Sequence, residues 1–329
     1  MLILAKSILA MMIGFLASAI LGLIILPILR RTKIRQNISK FVTMHSKKNG
    51  TPTMGGIIFI LSTFFSILLL FLLGKIDVSY NIIIILFVFL SYALIGFLDD
   101  YLNIKRKNNT GLKKTQKLLL QILVSVVFYY LYTKGGGNSI LDIHTLNIKI
   151  DLGIMFSGFI LFLLVGTSNA VNITDGLDGL SGGLSLIAFL AFGMISWGAS
   201  WVTGNQDIAV FCFILTGAIL GFLLYNTHPA KMFMGDTGSL PLGATLASVA
   251  IITNHELTLV VVGGVFVIET LSVIIQIASI KIFKKKVFLM SPLHHHFEKL
   301  GWQETDIVKL FWVVGLISGM AAIIFGVWL

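Results

Sequence analysis

Apolar residues run along this chain in ten long blocks separated by short polar segments. The blocks span approximately Ile8–Leu29, Thr53–Leu73, Ile82–Leu98, Leu118–Tyr132, Ile154–Ala170, Leu180–Trp201, Ile208–Tyr225, Leu240–Thr253, Leu257–Phe283 and Ile307–Leu329. Most approach the ~20 residues that an α-helix needs to cross a hydrocarbon core ~30 Å thick. The fourth, fifth and eighth are short, so they either extend into flanking polar residues or cross where the bilayer is thin. The pattern predicts an all-α integral membrane protein with about ten transmembrane helices, forming a single domain over residues 1–329. The first block reads as a retained helix rather than a signal peptide. It is too long for an h-region, its positive pair Arg30-Arg31 follows it, and no A-x-A-like site closes it. The segment Lys134–Gly153 breaks the pattern: a Gly-Gly-Gly turn precedes alternation from Ile140 to Ile150, which predicts a small hairpin.

Composition strengthens this reading. Charged residues make up 12% of the chain, against about 25% in soluble domains, which excludes a separate soluble domain. The formal charge of +10 would suggest a nucleic-acid partner in a soluble protein. Here it resolves into topology. One set of alternating loops (Arg30–Pro52, Asp99–Lys117, Val171–Gly179, Asn226–Ser239 and Lys281–Asp306) holds 19 of the 24 Lys and Arg residues. Positive-inside bias makes that set cytoplasmic, with both termini and the hairpin outside, and no nucleic acid is implied. The lone Cys212 excludes an intrachain disulfide or a cysteine metal site and reads as a small buried or lipid-facing residue. Gly217 and Gly221 form a GxxxG, which predicts close helix packing.

The carboxylates are not scattered. Asp99, Asp100, Asp175, Asp178 and Asp236 lie at membrane boundaries on the positive side, with Glu298, Glu304 and Asp306 in the same set of loops. Carboxylates near hydrocarbon are costly unless paired, metal-bound or hydrated, so their convergence predicts a site at the inner interface. Asp99 and Asp100 follow the third block, and adjacent helical residues point about 100° apart, so the two suit different roles. Asn172, Asp175 and Asp178 share a face if helical. An EF-hand fails because Leu186 stands where a Glu is required. Asp236 lies in Asp-Thr-Gly, but a Gly-x-Gly-Asp intramembrane protease would carry glycine where this chain has Phe233. His294-His295-His296 does not match zinc spacings and suits phosphate donors, or one base with two neighbours. Lys48 stands apart from the general run of topology-setting lysines, in a tight Gly- and Pro-containing loop that enters the second block. No Walker A or dinucleotide fingerprint occurs. Such parts suit phosphate chemistry with Mg²⁺, whose ligands are carboxylates and substrate phosphates. The membrane setting makes one substrate a lipid phosphate.

Five motifs carry a resemblance through nearly the whole chain. They are Lys-x-Gly-Thr-Pro-Thr-Met-Gly-Gly (48–56), Phe-Leu-Asp-Asp-Tyr (97–101), Asn-x-Thr-Asp-Gly-Leu-Asp-Gly (172–179), Asn-x-His-Pro-Ala-x-x-Phe-Met-Gly-Asp-Thr-Gly-Ser (226–239) and Pro-Leu-His-His-His-Phe-Glu (292–298). Together they resemble the phospho-N-acetylmuramoyl-pentapeptide transferases, a branch of the polyprenyl-phosphate N-acetylhexosamine phosphate transferases. The resemblance implies transfer of phospho-MurNAc-pentapeptide from UDP-MurNAc-pentapeptide to undecaprenyl phosphate, giving lipid I and UMP, the first membrane step of peptidoglycan synthesis. It implies Mg²⁺, a cytoplasmic active site in a bacterial inner membrane, and a homodimer.

Carried over by motif, Asp236 is expected to bind Mg²⁺, Asp99 to deprotonate the lipid phosphate and Asp100 to assist the metal or substrate phosphate. Direct attack and a covalent aspartyl intermediate both remain open. Asn172, Asp175 and Asp178 match positions around the nucleoside. Lys48, Thr53, Lys117, Asn226, Phe233 and Gln276 match other substrate-site positions, with Phe233 suited to stack on uracil, and His294 to His296 would meet the sugar-phosphate side. Glu269 is a mid-span acid in the ninth block, a helix that the resemblance implies to be bent. It reads as an interior or structural polar contact. Two other readings compete. A sister transferase using UDP-N-acetylglucosamine shares the Asp-Asp and Asn-x-x-Asp-Gly features, although the His-His-His form favours the muramoyl-pentapeptide donor. A secondary transporter predicts midplane ionisable residues in symmetric halves, whereas this chain gathers its acids at one boundary.

Overall fold

A computed structural model describes residues 3–31, 48, 50–106, 111–143, 148–198 and 205–328. The stretch 32–47 of the first positive loop, the end of the sixth block at Trp201 and the tip of the hairpin lie outside them. Among the described residues twelve α-helices follow in order: α1 (Ile3–Arg31), α2 (Gly56–Leu72), α3 (Tyr80–Arg106), α4 (Lys114–Lys134), α5 (Met155–Thr174), α6 (Leu180–Gly198), α7 (Gln206–Asn226), α8 (Asp236–Ile252), α9 (Glu256–Val262), α10 (Gly264–Phe283), α11 (Leu293–Lys299) and α12 (Glu304–Ile323). Strands β1 (Ile140–Ile143) and β2 (Ile148–Asp151) pair antiparallel between α4 and α5, with Ile140 opposite Asp151. Among the described residues eight helices are long and apolar enough to cross a membrane, and α2 and α8 are shorter apolar helices.

Each predicted block finds its helix, with instructive differences. The short fourth, fifth and eighth blocks extend into polar residues, reaching Lys114, Thr174 and Asp236. The third does not end at Leu98. No Gly or Pro interrupts Asp99 to Arg106, so α3 continues and carries Asp99 and Asp100 on its body rather than in a loop. The ninth is broken between α9 and α10 at Gly263-Gly264, where two residues of high backbone entropy meet. The three histidines sit on the short helix α11 rather than in a loop.

In lipid, helices associate through close packing and hydrogen bonds rather than through a hydrophobic drive. The bundle is built accordingly. Every residue of α8 from Thr237 to Ile252 is buried, and α7 is almost as enclosed. An apolar helix buried on all sides belongs at the centre of the fold. Around that core, α1 lies along α7, α3 along α8 and α6 along α7. Outward-facing residues such as Leu23, Ile24 and Ile274 form the apolar exterior. The GxxxG works as predicted: a Cβ on Gly217 would lie 2.0 Å from the Met11 carbonyl oxygen of α1. Tyr225 completes the contact by donating to the Ala19 carbonyl at 2.6 Å.

This packing generates a prediction. Gly217→Val is expected to push α1 off α7 and to destabilise the protein by about 1–3 kcal/mol, the usual cost of overpacking. The fall would be read as a lower melting temperature in detergent. A melting temperature equal to wild type would show that α1 does not seat on α7 in this way.

Candidate active site

The carboxylates predicted to converge do so, at the end of the bundle where α3, α5 and α7 finish and α4, α6, α8 and α12 begin. The arrangement is built from Asp100 outward. Its carboxylate is 7% exposed. It accepts hydrogen bonds from the Thr237 backbone N–H at 2.9 Å, the Thr237 hydroxyl at 2.6 Å and the Asp236 N–H at 3.3 Å. The first N–H groups of any helix lack intrahelical partners, and here a carboxylate from another helix supplies them. Gly96, one turn earlier on α3, makes the approach possible, because a Cβ there would lie 2.0 Å from the Asp236 carbonyl oxygen. Asp100 therefore seats the start of α8.

That seat displays Asp236. Lys117 Nζ donates to its Oδ2 at 2.5 Å, and Asn172 Nδ2 donates to its Oδ1 at 2.7 Å while also reaching the Ser239 hydroxyl at 2.8 Å. Asp99, on the neighbouring face of α3, is half-buried and close enough to Asp236 to share a hydrogen. The Leu112 N–H holds its other side at 2.9 Å. The divergence of adjacent helical residues thus gives Asp99 to the open site and Asp100 to α8. Asp175, in the turn after α5, has its carboxyl pushed up to about 8 by burial and by the negative charges of Asp236, Asp100 and Asp178. Thr53 lies beside Asp100, both within reach of a side chain built at Gly235. Backbone bonds from Phe233 N–H to Pro52 O and from Gly55 N–H to Phe233 O, at 2.7 and 2.8 Å, zip the Thr53 loop to the Phe233 loop.

A second cluster adjoins the first through the 175–178 turn. Lys48 Nζ bonds Asp178 Oδ1 at 2.7 Å and Glu304 Oε1 at 2.5 Å. His228 Nδ1 and the Ala230 N–H meet Asp178 Oδ2 at 3.1 and 3.0 Å. Asp178, His228 and Glu304 would pass as metal ligands by spacing, with ligand atoms within 4.8 Å of one another. The Lys48 ammonium already bonds two of the three, so the cluster carries its own cation and reads as a clasp between four chain segments. Sequence reasoning did not single out His228 or Glu304 as site residues. His228 was nonetheless visible inside the 226–239 motif. Glu304 offered no local signal, since its role depends on where α12 begins.

The remaining expected residues shape the walls. Asn226 is buried and donates to the Met232 carbonyl at 3.0 Å. Gln276 holds the 287–288 backbone with both ends of its amide. His296 Nδ1 accepts from the Leu289 N–H, and His295 pairs with Glu298 at 2.6 Å. His294 is buried against Gly176, beside Asp175.

Comparison with known proteins fits this arrangement. Residues 82–254 match Glycosyl transferase family 4. Residues 48–60 match the phospho-N-acetylmuramoyl-pentapeptide-transferase signature 1. A phospho-N-acetylmuramoyl-pentapeptide-transferase of Geobacillus sp. (strain WCH70) is 48% identical over 323 residues, 98% of each chain. The protein of that name from Bacillus subtilis (strain 168) is 47% identical over 319 residues, 97% of each. This chain belongs to the phospho-N-acetylmuramoyl-pentapeptide-transferase family. The family signature covers Lys48, Thr53 and the loop zipped to Phe233, and the broader family region runs from α3 through α8 and includes Asp99, Asp100, Lys117, Asn172, Asp175, Asp178 and Asp236. Glu269, the histidines of α11 and Glu304 lie beyond both.

The crowding around Asp175 has a measurable consequence. An unfolded aspartate titrates near ~3.9, so between about pH 4 and 8 the folded protein holds a proton that the unfolded chain releases. The stability from this group is fully present below about pH 4 and is lost as pH rises through 8. In divalent-free buffer, the melting temperature of Asp175→Asn minus that of wild type is therefore expected to grow between pH 5 and pH 8. A difference that stays constant with pH would contradict the crowding.

Proposed function

We propose that the chain transfers phospho-MurNAc-pentapeptide from UDP-MurNAc-pentapeptide to undecaprenyl phosphate, giving lipid I and UMP. Family membership supports the reaction. The observation that carries the assignment of residues is Asp236, displayed at the first position of a buried helix between Lys117 and Asn172, with Asp99 facing it. The donor set fits Mg²⁺. All of the candidate ligands are carboxylate oxygens, as hard cations require, and Asp175 sits close enough to Asp236, Asp100 and Asp178 for their negative charges to add to the effect of burial on its carboxyl. In this reading Asp236 would hold the metal, leaving Asp99 free as the base. When bound, Mg²⁺ neutralises charge that builds on the leaving UMP.

The protein's own groups do the rest. Asp99 takes the proton from the lipid phosphate, because its carboxyl is the one turned to the open side while Asp100 is held by Thr237. Lys117, paired with Asp236, offers its ammonium to a donor phosphate. The dipole of α8 favours anions at its N-terminus, where Asp100 already accepts from the first two N–H groups. Phe233 and the 175–178 turn flank the nucleoside, and the Lys48 clasp fixes that turn. The distribution of Lys and Arg supports a cytoplasmic site with both termini outside, and family resemblance supports a homodimer.

The test is turnover by protein purified in detergent with undecaprenyl phosphate, Mg²⁺ and either UDP-MurNAc-pentapeptide or UDP-N-acetylglucosamine. UMP release is expected with the first donor alone, and removing Mg²⁺ by chelation should abolish it. Asp99→Asn is expected to lower kcat by about 10²–10⁴-fold, the range for a lost general base, in protein that still melts cooperatively. Turnover with the second donor alone would overturn the substrate, and silence with both would overturn the reaction.

A further inference from the structure

Glu269 is an ionisable residue in the second turn of the apolar helix α10, just after the Gly263-Gly264 break, and it is 0% exposed. Such residues are costly and usually functional. Its carboxylate is fully engaged with α11. The Leu293 N–H donates to Oε2 at 2.8 Å, the His294 N–H to Oε1 at 3.1 Å, and His294 Nδ1 lies 3.1 Å from Oε2. The first two bonds cap a helix that begins 24 residues later. The third does something a cap does not need: it fixes the orientation of an imidazole. With Nδ1 committed to Glu269, Nε2 is the free end of the ring. His294 is also 0% exposed, and its Nε2 has no hydrogen-bond partner among the described residues. It ends against Gly176, where an added Cβ would lie 2.2 Å from it. That turn carries Asp175 and leads to Asp178.

We infer that Glu269 is a positioning residue that acts through His294, presenting Nε2 at the Asp175–Gly176 turn to an oxygen of the sugar-nucleotide donor. This rests on the transferase reading above. A buried, unpartnered imidazole nitrogen calls for an explanation, and a donor oxygen arriving at the turn supplies its missing bond. Gly176 belongs to the same device, since any side chain there would press on Nε2. The buried acid thus works at a distance: α10 holds the carboxylate, α11 holds the imidazole, and the α5–α6 turn receives it.

The experiment is a double-mutant cycle with Glu269→Gln and His294→Ala, in full-length detergent-purified protein assayed with UDP-MurNAc-pentapeptide and undecaprenyl phosphate. Each single variant is expected to lower kcat/KM for the nucleotide donor by about 10–100-fold, the range for losing a group that orients a functional histidine. The KM for the lipid acceptor should stay unchanged. In the double variant, Glu269→Gln should add no more than about twofold to the loss from His294→Ala, because the two act as one unit. Gly176→Ala, which leaves the Glu269 cap intact, should show the same donor-specific loss. A helix cap alone predicts something else: Glu269→Gln lowers the melting temperature while kinetics per folded molecule stay at wild type. That result, losses that multiply in the double variant, or an unchanged donor kcat/KM in Gly176→Ala would each overturn the inference. A wild-type protein that turns over neither donor would instead overturn the transferase reading beneath it.

Discussion

The bond between the Asp100 carboxylate and the start of α8 joins two helices that are 136 residues apart in the chain. Much of the molecule is arranged to permit it. α8 is the most enclosed helix, so its first N–H groups cannot turn to bulk water, and leaving a buried donor unpaired costs about 1–3 kcal/mol. An in-helix residue cannot cap α8, because its N-cap position is Gly235, which has no side chain and a φ of +72°. The cap must therefore come from elsewhere. It comes from α3, which is held close by Gly96 and lengthened past the membrane boundary to carry the acid. Once Asp100 is committed, the geometry of adjacent helical residues leaves Asp99 on the next face. A single structural bond thus sets both the position of Asp236 and the direction of Asp99.

The rest of the site follows from balancing charge in a poorly solvated place. Breaking a buried ion pair is strongly destabilising because the surviving charge is left alone. Two lysines answer for the acids, and they do so differently. Lys117 pairs with Asp236 on the open side, where on the proposed reading a substrate phosphate would compete for the same ammonium. Lys48 bridges Asp178 and Glu304, and further bonds from His228 and Ala230 saturate Asp178. The first pairing is exchangeable, whereas the second is a clasp that ties the segment before α2 to the turns after α5 and α7 and to the head of α12. Asp175 has no ion-pair partner among the described residues, and burial together with the charges of Asp236, Asp100 and Asp178 raises its carboxyl.

Much of this was legible in the sequence because membrane helices announce themselves. With no water to satisfy backbone groups, only complete helices cross, so the ten apolar blocks mapped onto helices almost one for one. Asp99, Asp100 and Asp236 were legible as a set because acids at membrane boundaries are rare enough to stand out. Less could be read where the outcome depends on a distant partner. The absence of Gly and Pro lets α3 run on past Leu98, but nothing local says that it carries on to Arg106. Nothing local separates Asp100 as a brace from Asp99 as an open acid, beyond the rule that they diverge. Gln276 read as a substrate-site residue, but its amide is occupied by the 287–288 backbone, a loop whose path cannot be inferred from composition. Glu304 gains its meaning only when α12 begins beside Lys48.

The distribution of acids also bears on how the chemistry is kept at one face. A transporter needs ionisable groups that both sides can reach in turn. Here Asp100 and Asp236 are tied to helix ends by bonds that would break if those ends separated. Glu269 is fully buried and turned toward α11 by three bonds. Alternating access would have to dismantle the cap on α8, the Lys48 clasp and the Glu269–His294 pair together. A fold whose buried charged bonds at this site hold one end together around a fixed constellation is built to keep reacting groups still, which is what a transfer between two phosphates requires.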